Sequence, residues 1–279
     1  MSIAAQRSDG TFGEPSPTVS ETSRYANLVR ELALTNFKLK YTGSVLGYLW
    51  SLMKPLMYFA ILYVIFVEFF GQRQHNFPLQ LLVAIVIFTF FSECTSAALT
   101  SIAANGHLIR KAYFPLSALV VAGSVTALLT LLINFSLIVA VAMPLGKLHL
   151  GMSSLAAPFL ILELYVLSLG VGMLLAAAFV FFRDLGHIWE VLLQLLFYGC
   201  GVVFPALAVP PYWRHVFFLN PIAQIIEDLR HAVVTPDVPW TVSLAGPVAY
   251  VVPIGLTLLL FIAGLAVFRR LAPAFAESL

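Results

Sequence analysis

Six stretches of this chain, residues 52–70, 79–99, 116–143, 155–182, 188–204 and 247–268, are nearly continuous runs of apolar side chains. A helix needs about 20 such residues to cross a hydrocarbon core about 30 Å thick. Inside that core only a segment whose backbone groups pair among themselves is tolerated. The runs therefore predict an all-α integral membrane protein with six transmembrane helices. Lys54 and Pro55 interrupt the first run near its start, and the fifth is short with Glu190 near its beginning. Of 279 residues only 10% are charged, against about 25% in a soluble domain, and the mean hydropathy is +0.96. The longest polar stretch is the first fifty residues, so no separate soluble catalytic domain fits.

The basic residues alternate with the runs. One set of segments holds Arg7, Arg24, Arg30, Lys38, Lys40, Lys54, Arg110, Lys111, Arg183, Arg269 and Arg270, and the other holds Arg73, Lys147, Arg214 and Arg230. Lys and Arg favour the cytoplasmic side, which predicts a multi-pass protein of the bacterial inner or plasma membrane with both termini in the cytoplasm. The first fifty residues contain no early apolar core, so no cleavable signal peptide is expected. A net charge of +2 and dispersed basic residues argue against nucleic acid as a partner. Cys94 and Cys200 both fall in apolar runs and read as reduced packing residues.

Three segments stand outside the runs. Residues 1–20 lack apolar periodicity and are expected as a disordered tail. In residues 21–45, Tyr25, Leu28, Val29, Leu32 and Leu39 recur at helical spacing while Arg24, Arg30 and Lys38 take other faces. This reads as an amphipathic helix on the cytoplasmic membrane surface, or as a simple topogenic anchor. Residues 105–115 (NGHLIRKAYFP) form a basic loop in which Asn105 can cap a short helix that Pro115 prevents from continuing. Such a helix can dock on another protein, and positive-inside topology alone also demands a basic loop there. The connection 205–246 predicts two short helices broken at Asn220 and Pro221, a cap followed by proline at the first helical position. The second helix places Ile222, Ile225, Ile226 and Leu229 on one side and Glu227, Arg230 and His231 on the other. A segment this apolar is expected partly in the bilayer or capping a cavity.

The chain has no GxxxxGK[ST] phosphate loop and no HExxH or other metal-ligand spacing, so neither catalysis nor a metal is expected of it. Glu93, Glu163 and Asn134 lie within runs, where a polar group is either functional or interhelical glue. Phe59, Tyr63, Phe66 and Phe70 recur along one face of the first run. Aromatic rings stack on the apolar faces of sugars, although such a stripe also packs helices or faces lipid.

Taken together, residues 40–50 (KYTGSVLGYLW) with Lys54-Pro55, then 105–115, then Phe182-Arg183-Asp184, then Leu219-Asn220-Pro221 followed by Arg230, resemble the permease subunit of ABC-2 type exporters. The branch resembled exports lipid-linked polysaccharides such as O-antigen, teichoic acid or mycobacterial galactan. The resemblance implies an interface helix and loop beside an ATPase, carrying Arg24, Arg30, Lys38, Lys40, Leu46 and Gly47. It implies a coupling helix with Asn105, Leu108, Ile109, Arg110, Lys111, Tyr113, Phe114 and Pro115 seated in that ATPase, and a second cytoplasmic loop at Arg183 and Asp184. Tyr212, Trp213, Asn220, Pro221, Glu227 and Arg230 would belong to paired outer gate helices between spans five and six, and Phe59, Tyr63, Phe66 and Phe70 would line the channel. The implied assembly is two permease chains with two ATPase subunits, which bind ATP and Mg, moving a lipid-pyrophosphate-linked glycan through a channel at the permease dimer interface. Alternatives are an ABC-2 permease for a small drug or lipid, and a proton- or ion-coupled carrier using Glu93 and Glu163.

Overall fold

The computed structural model describes residues 21–42, 47, 49–71, 76–106, 115–149 and 151–278. The expected tail 1–20, Leu46, and Leu108, Ile109, Arg110, Lys111, Tyr113 and Phe114 lie outside the described residues.

Among the described residues the elements are helical: α1 (Glu21–Tyr41), α2 (Leu49–Tyr63) continued by a π-helical turn (Val64–Phe69), α3 (Phe77–Ala104), α4 (Ser117–Ala142), and α5 (Ala157–Phe181) entered through a 3-10 turn (Met152–Ala156). They continue as α6 (Leu185–Gly199), α7 (Pro211–Phe217), α8 (Pro221–Leu229) with a π turn (Arg230–Val234), α9 (Thr241–Ala245) and α10 (Val248–Ser278). Five spans, Leu49–Phe69, Phe77–Ala104, Ser117–Ala142, Met152–Phe181 and Val248–Phe275, are long and apolar enough to cross a membrane.

The expected run 188–204 departs from a simple span. It forms the 15-residue α6, about 22 Å long at the α-helical rise of ~1.5 Å per residue, and then turns back through residues 200–204, with Gly201 at φ +73°. A side chain there would be strained, and its Cβ would meet Phe217 Cζ at 2.8 Å. Cys200, Val202 and Val203 end up buried, so the last third of that apolar run serves the protein core rather than a longer helix.

α5 is the hub: it packs on α3, α4, α8 and α10. Glycines on α5 and α10 explain how. A Cβ on Gly170 would lie 2.6 Å from the Phe261 backbone, one on Gly264 would lie 2.3 Å from the Gly170 carbonyl oxygen, and one on Gly172 would lie 2.7 Å from Ala98 Cβ. Lipid tails are as apolar as leucine, so helices in a bilayer associate through such close backbone packing and through polar contacts. The polar contacts follow: Ser124 Oγ and Tyr165 Oη lie 3.0 Å apart, joining α4 to α5, and Trp189 Nε1 donates to Thr95 Oγ1 at 3.2 Å, joining α6 to α3.

α1 runs along α4. Tyr25 Oη meets Ser117 Oγ at 3.3 Å, and eight residues further along α1 and nine along α4 Thr126 Oγ1 donates to the Ala33 carbonyl at 3.2 Å. Both chains advance together between these contacts, so the helices point the same way. Val29 and Ala33 are buried on that face, whereas Leu39, assigned to it from spacing, is 67% exposed. α2 is the least embedded of the five spans: 6% of it is buried, against 67% for α3.

Replacing Gly170 or Gly264 by leucine should cost stability well beyond the ~1–3 kcal/mol of ordinary overpacking, because the obstacle is backbone. Fluorescence-detected size-exclusion after heating should show loss of the folded peak. Gly255→Ala, whose Cβ has nothing within 4 Å, should leave that profile unchanged.

Candidate functional site

The connection from α6 to α10 concentrates the buried charge of the described chain. Asn220 caps α8, its Oδ1 accepting from Ile222 N at 3.0 Å with Pro221 at the first helical position. The two helices expected here form as predicted from the Asn-Pro break. They differ in environment: α7 shows Tyr212 at 74% and Trp213 at 54% exposure, while every residue of α8 is buried. The polar side expected on α8 faces inward too.

Arg230, 1% exposed, is the centre of this inward side. Its Nη2 donates to the Val202 carbonyl at 2.9 Å, Nη1 to Phe204 O at 3.3 Å and to Glu227 Oε2 at 3.1 Å, and Nε to Gln80 O at 3.3 Å. One planar guanidinium thus ties α8 to the non-helical turn 200–204 and to the first turns of α3. Glu227 is itself held, its Oε1 accepting from Ala206 N at 3.3 Å. Burial pushes its carboxyl above the ordinary range, against the weaker opposing pull of Arg230.

Asp228 points into a second network. It accepts from Thr241 N at 2.9 Å, Thr241 Oγ1 at 3.0 Å and Gln224 Nε2 at 2.9 Å, which fastens α9 to α8. Burial raises this carboxyl as well, opposed by the Thr241 and Gln224 hydrogen bonds. His231 stacks on Trp240 at 4.1 Å between ring centroids and sets its Nδ1 against the Val238 carbonyl. Gln224, Asp228 and Thr241 were not singled out from sequence; an aspartate adjoining Glu227 on a helix too apolar to be solvated was the available signal.

At the opposite end of the bundle, Asn105 closes α3, with Nδ2 donating to the Ser101 carbonyl at 2.8 Å, and Pro115 O accepts from Ala118 N at 2.9 Å at the start of α4. These residues bracket the segment expected to couple. Arg183 and Asp184 are exposed in the three-residue turn between α5 and α6, and the Asp184 carbonyl accepts from His187 N and Ile188 N. Arg24, Arg30 and Lys38 are exposed on α1, and Gly47 sits at φ +48° before α2. Lys40 Nζ reaches Glu93 Oε2 on α3 at 2.8 Å, pairing two residues that sequence spacing treated separately.

The aromatic stripe of α2 divides. Phe59 and Phe66 pack on the core beside α3, and the 59/63 and 66/70 ring pairs each stand 5.7 Å apart. Phe70 is 75% exposed, and Met57, Tyr58 and Ile61 form the open face. Asn134 donates to the Ser51 carbonyl at 3.4 Å, joining α4 to α2. Cys94 and Cys200 are free and buried. Among the described residues no group of three His, Cys, Asp or Glu side chains is arranged to hold a metal.

Comparison with known proteins places this arrangement in context. The ABC-2 type transporter family matches residues 27–234. An O-antigen export system permease protein, RfbA, of Klebsiella pneumoniae is 26% identical over 251 residues, covering 89% of this chain and 94% of the relative. RfbA of Myxococcus xanthus is 26% identical over 263 residues, covering 94% and 98%. The polysialic acid transport protein KpsM of Escherichia coli is 25% identical over 259 residues, covering 90% and 95%.

Arg230→Met should destabilise the chain by about 3–5 kcal/mol, the cost of leaving a buried charge without its partner, read as a lower thermal midpoint of the purified protein. Glu227→Gln, which keeps a hydrogen-bonding group at that position, should cost less.

Proposed function

Because the chain belongs to the ABC-2 type transporter family, we propose that it is the membrane-spanning permease subunit of an ATP-driven exporter of a lipid-linked polysaccharide. The observation that carries this reading is the end-to-end similarity to permeases of O-antigen and polysialic acid export. The chain's multi-pass, apolar architecture and its lack of a phosphate loop suit a transport subunit whose ATP and Mg are bound by a separate ATPase.

Two copies of the chain work with two ATPase subunits in the bacterial inner membrane, termini inward. α2 and α6 present the surface for the second copy. On α6, Ile188, Val191, Leu192, Leu195 and Tyr198 form one exposed apolar stripe, and Tyr58 of α2 approaches Phe197 with ring centroids 6.2 Å apart. A contiguous apolar face of this kind is either lipid-exposed or paired, and between two copies it would wall a channel with few fixed charges, suited to a largely neutral glycan. Residues 105–115 receive the ATPase stroke and pass it to α3 and α4, the helices they join. Lys40 adds a second link, fastening the end of α1 to α3 through Glu93. The pyrophosphate of the lipid carrier is attracted by Arg24, Lys38, Lys40 and Lys54 at the cytoplasmic leaflet. α7 and α8 close the outer end, with Tyr212 and Trp213 exposed at its surface.

Depletion of the chain should cause a lipid-linked glycan to accumulate inside the cell, and absence of any such accumulation would remove the polysaccharide reading. Arg110→Glu with Lys111→Glu should weaken co-purification with the cognate ATPase or uncouple its hydrolysis from export; unchanged assembly and export would count against the coupling role. Lys40→Glu should reduce export several-fold on loss of a partly exposed pair of about 0.5–1 kcal/mol and its replacement by like charges. The swap Lys40→Glu with Glu93→Lys should restore part of it, measured as surface glycan.

A further inference from the structure

Beside α8 a groove of about 680 Å³ opens between α5 and α10. Its walls are Phe159, Leu162, Ile254 and Leu258, all exposed along the spans, so it faces the hydrocarbon region sideways rather than the interior of the chain. The size is that of a site for a small amphiphile, and the walls alone would merely hold lipid tails. The floor is different. Glu163 Oε1 and Thr257 Oγ1 are buried and have no hydrogen-bond partner, and Thr257 is only 2% exposed. Tyr250 and Trp240 join the lining, which contains no Lys, Arg or His.

A carboxyl oxygen in such surroundings without a donor is costly; Gln224 eases the group from one side and leaves Oε1 unpaired. Gln224, Asp228 and Tyr250 are the polar neighbours of Glu163, and the Tyr250 hydroxyl is engaged by Asp228 and Thr241. Gln224 gives its amide to Asp228, and Asp228 is already satisfied by Thr241. The guanidinium of Arg230 is committed to Glu227 and three backbone carbonyls. His231 stacks on Trp240 without lining the groove. Three carboxyl groups, Glu163, Glu227 and Asp228, thus share this cluster with one guanidinium. The missing component is a cationic hydrogen-bond donor, arriving from the side on which the groove is open.

We propose that the α5–α10 groove binds a membrane lipid with a primary-ammonium headgroup, its ammonium on Glu163 and Thr257 and its chain along the apolar walls. The depth agrees. Glu163 lies seven residues, about 10 Å, along the helix from Ala156 at the rim. The 30-residue span that contains it is about 45 Å long at the helical rise, some 15 Å more than the hydrocarbon core. A headgroup drawn in from the side of the α6–α10 connection reaches the carboxyl beside Trp240, which shares the lining. Because Gln224 and Asp228 belong to α8, a lipid seated there stiffens the same cluster that anchors α8 and α9. The site is independent of which solute the transporter carries.

The test offers the purified full chain mixed micelles of phosphatidylethanolamine or of phosphatidylglycerol with identical acyl chains, and reads retained lipid by native mass spectrometry. Phosphatidylethanolamine should be retained about tenfold more strongly, a difference of ~1.4 kcal/mol. Glu163→Gln should abolish the preference and Thr257→Val should reduce it. Leu258→Trp, which fills the groove and leaves the carboxyl intact, should lower phosphatidylethanolamine retention and keeps the test decisive should Glu163→Gln fail to fold. Equal retention of the two lipids by the unmodified chain, persistence of the preference in Glu163→Gln, or full retention in Leu258→Trp would each overturn the proposal.

Discussion

Arg230 supplies donors to carbonyls that no helix serves. The turn 200–204 has left α6, so the Val202 and Phe204 oxygens need partners from elsewhere, and the guanidinium provides them while holding Glu227. Water would perform this task at a soluble surface; in a bilayer or a closed core it is absent, and an irregular backbone survives only where protein groups replace it. α8 is therefore buried on all sides without being a spanning helix. Its position, and through Asp228 and Thr241 that of α9, follow from one charged side chain placed one residue past its end.

The rest of the bundle is built on a contrasting rule. α5 approaches α10 and α3 so closely that Gly170, Gly172 and Gly264 leave no room for a methyl group, and its hydroxyl contacts are few and specific. Small residues fix distance, and single polar pairs fix register. The two rules meet at Glu163, which stands on the close-packed hub and has two of its polar neighbours on α8. The chain thus combines a rigid centre with a connection whose order depends on charge balance.

How much of this was legible in the sequence differs by element. Four of the six apolar runs fall cleanly on long helices, because length and hydropathy suffice for them, and the first does so despite Pro55, which lies buried within α2. The Asn220-Pro221 break was readable because capping chemistry is local. The fifth run was not, since hydropathy cannot distinguish residues that face lipid from residues that turn back into the core, as Cys200 and Val202 do. Leu39 followed helical spacing yet is exposed, because the face buried by α1 is chosen by α4 rather than by its own periodicity. The polar network of α8 was half visible: Glu227 and Arg230 stood out, whereas the donors and acceptors that give them meaning, Gln80 and the 202 and 204 carbonyls, come from distant parts of the chain. For the same reason Lys40 and Glu93 were each noticed and their pairing was not.

α2 rests against its own chain along a narrow edge, joined to α4 by a long hydrogen bond from Asn134 and entered through Gly47 with a positive φ. The edge carried by Phe59, Leu62, Phe66 and Val67 is what holds it to the core, while Met57, Tyr58 and Ile61 stand exposed. Local stability follows buried contact, and by that measure α2 behaves as a leaf on a post whose frame is α3, α5 and α10. An element held this lightly can shift while α3, α5 and α10 keep their packing.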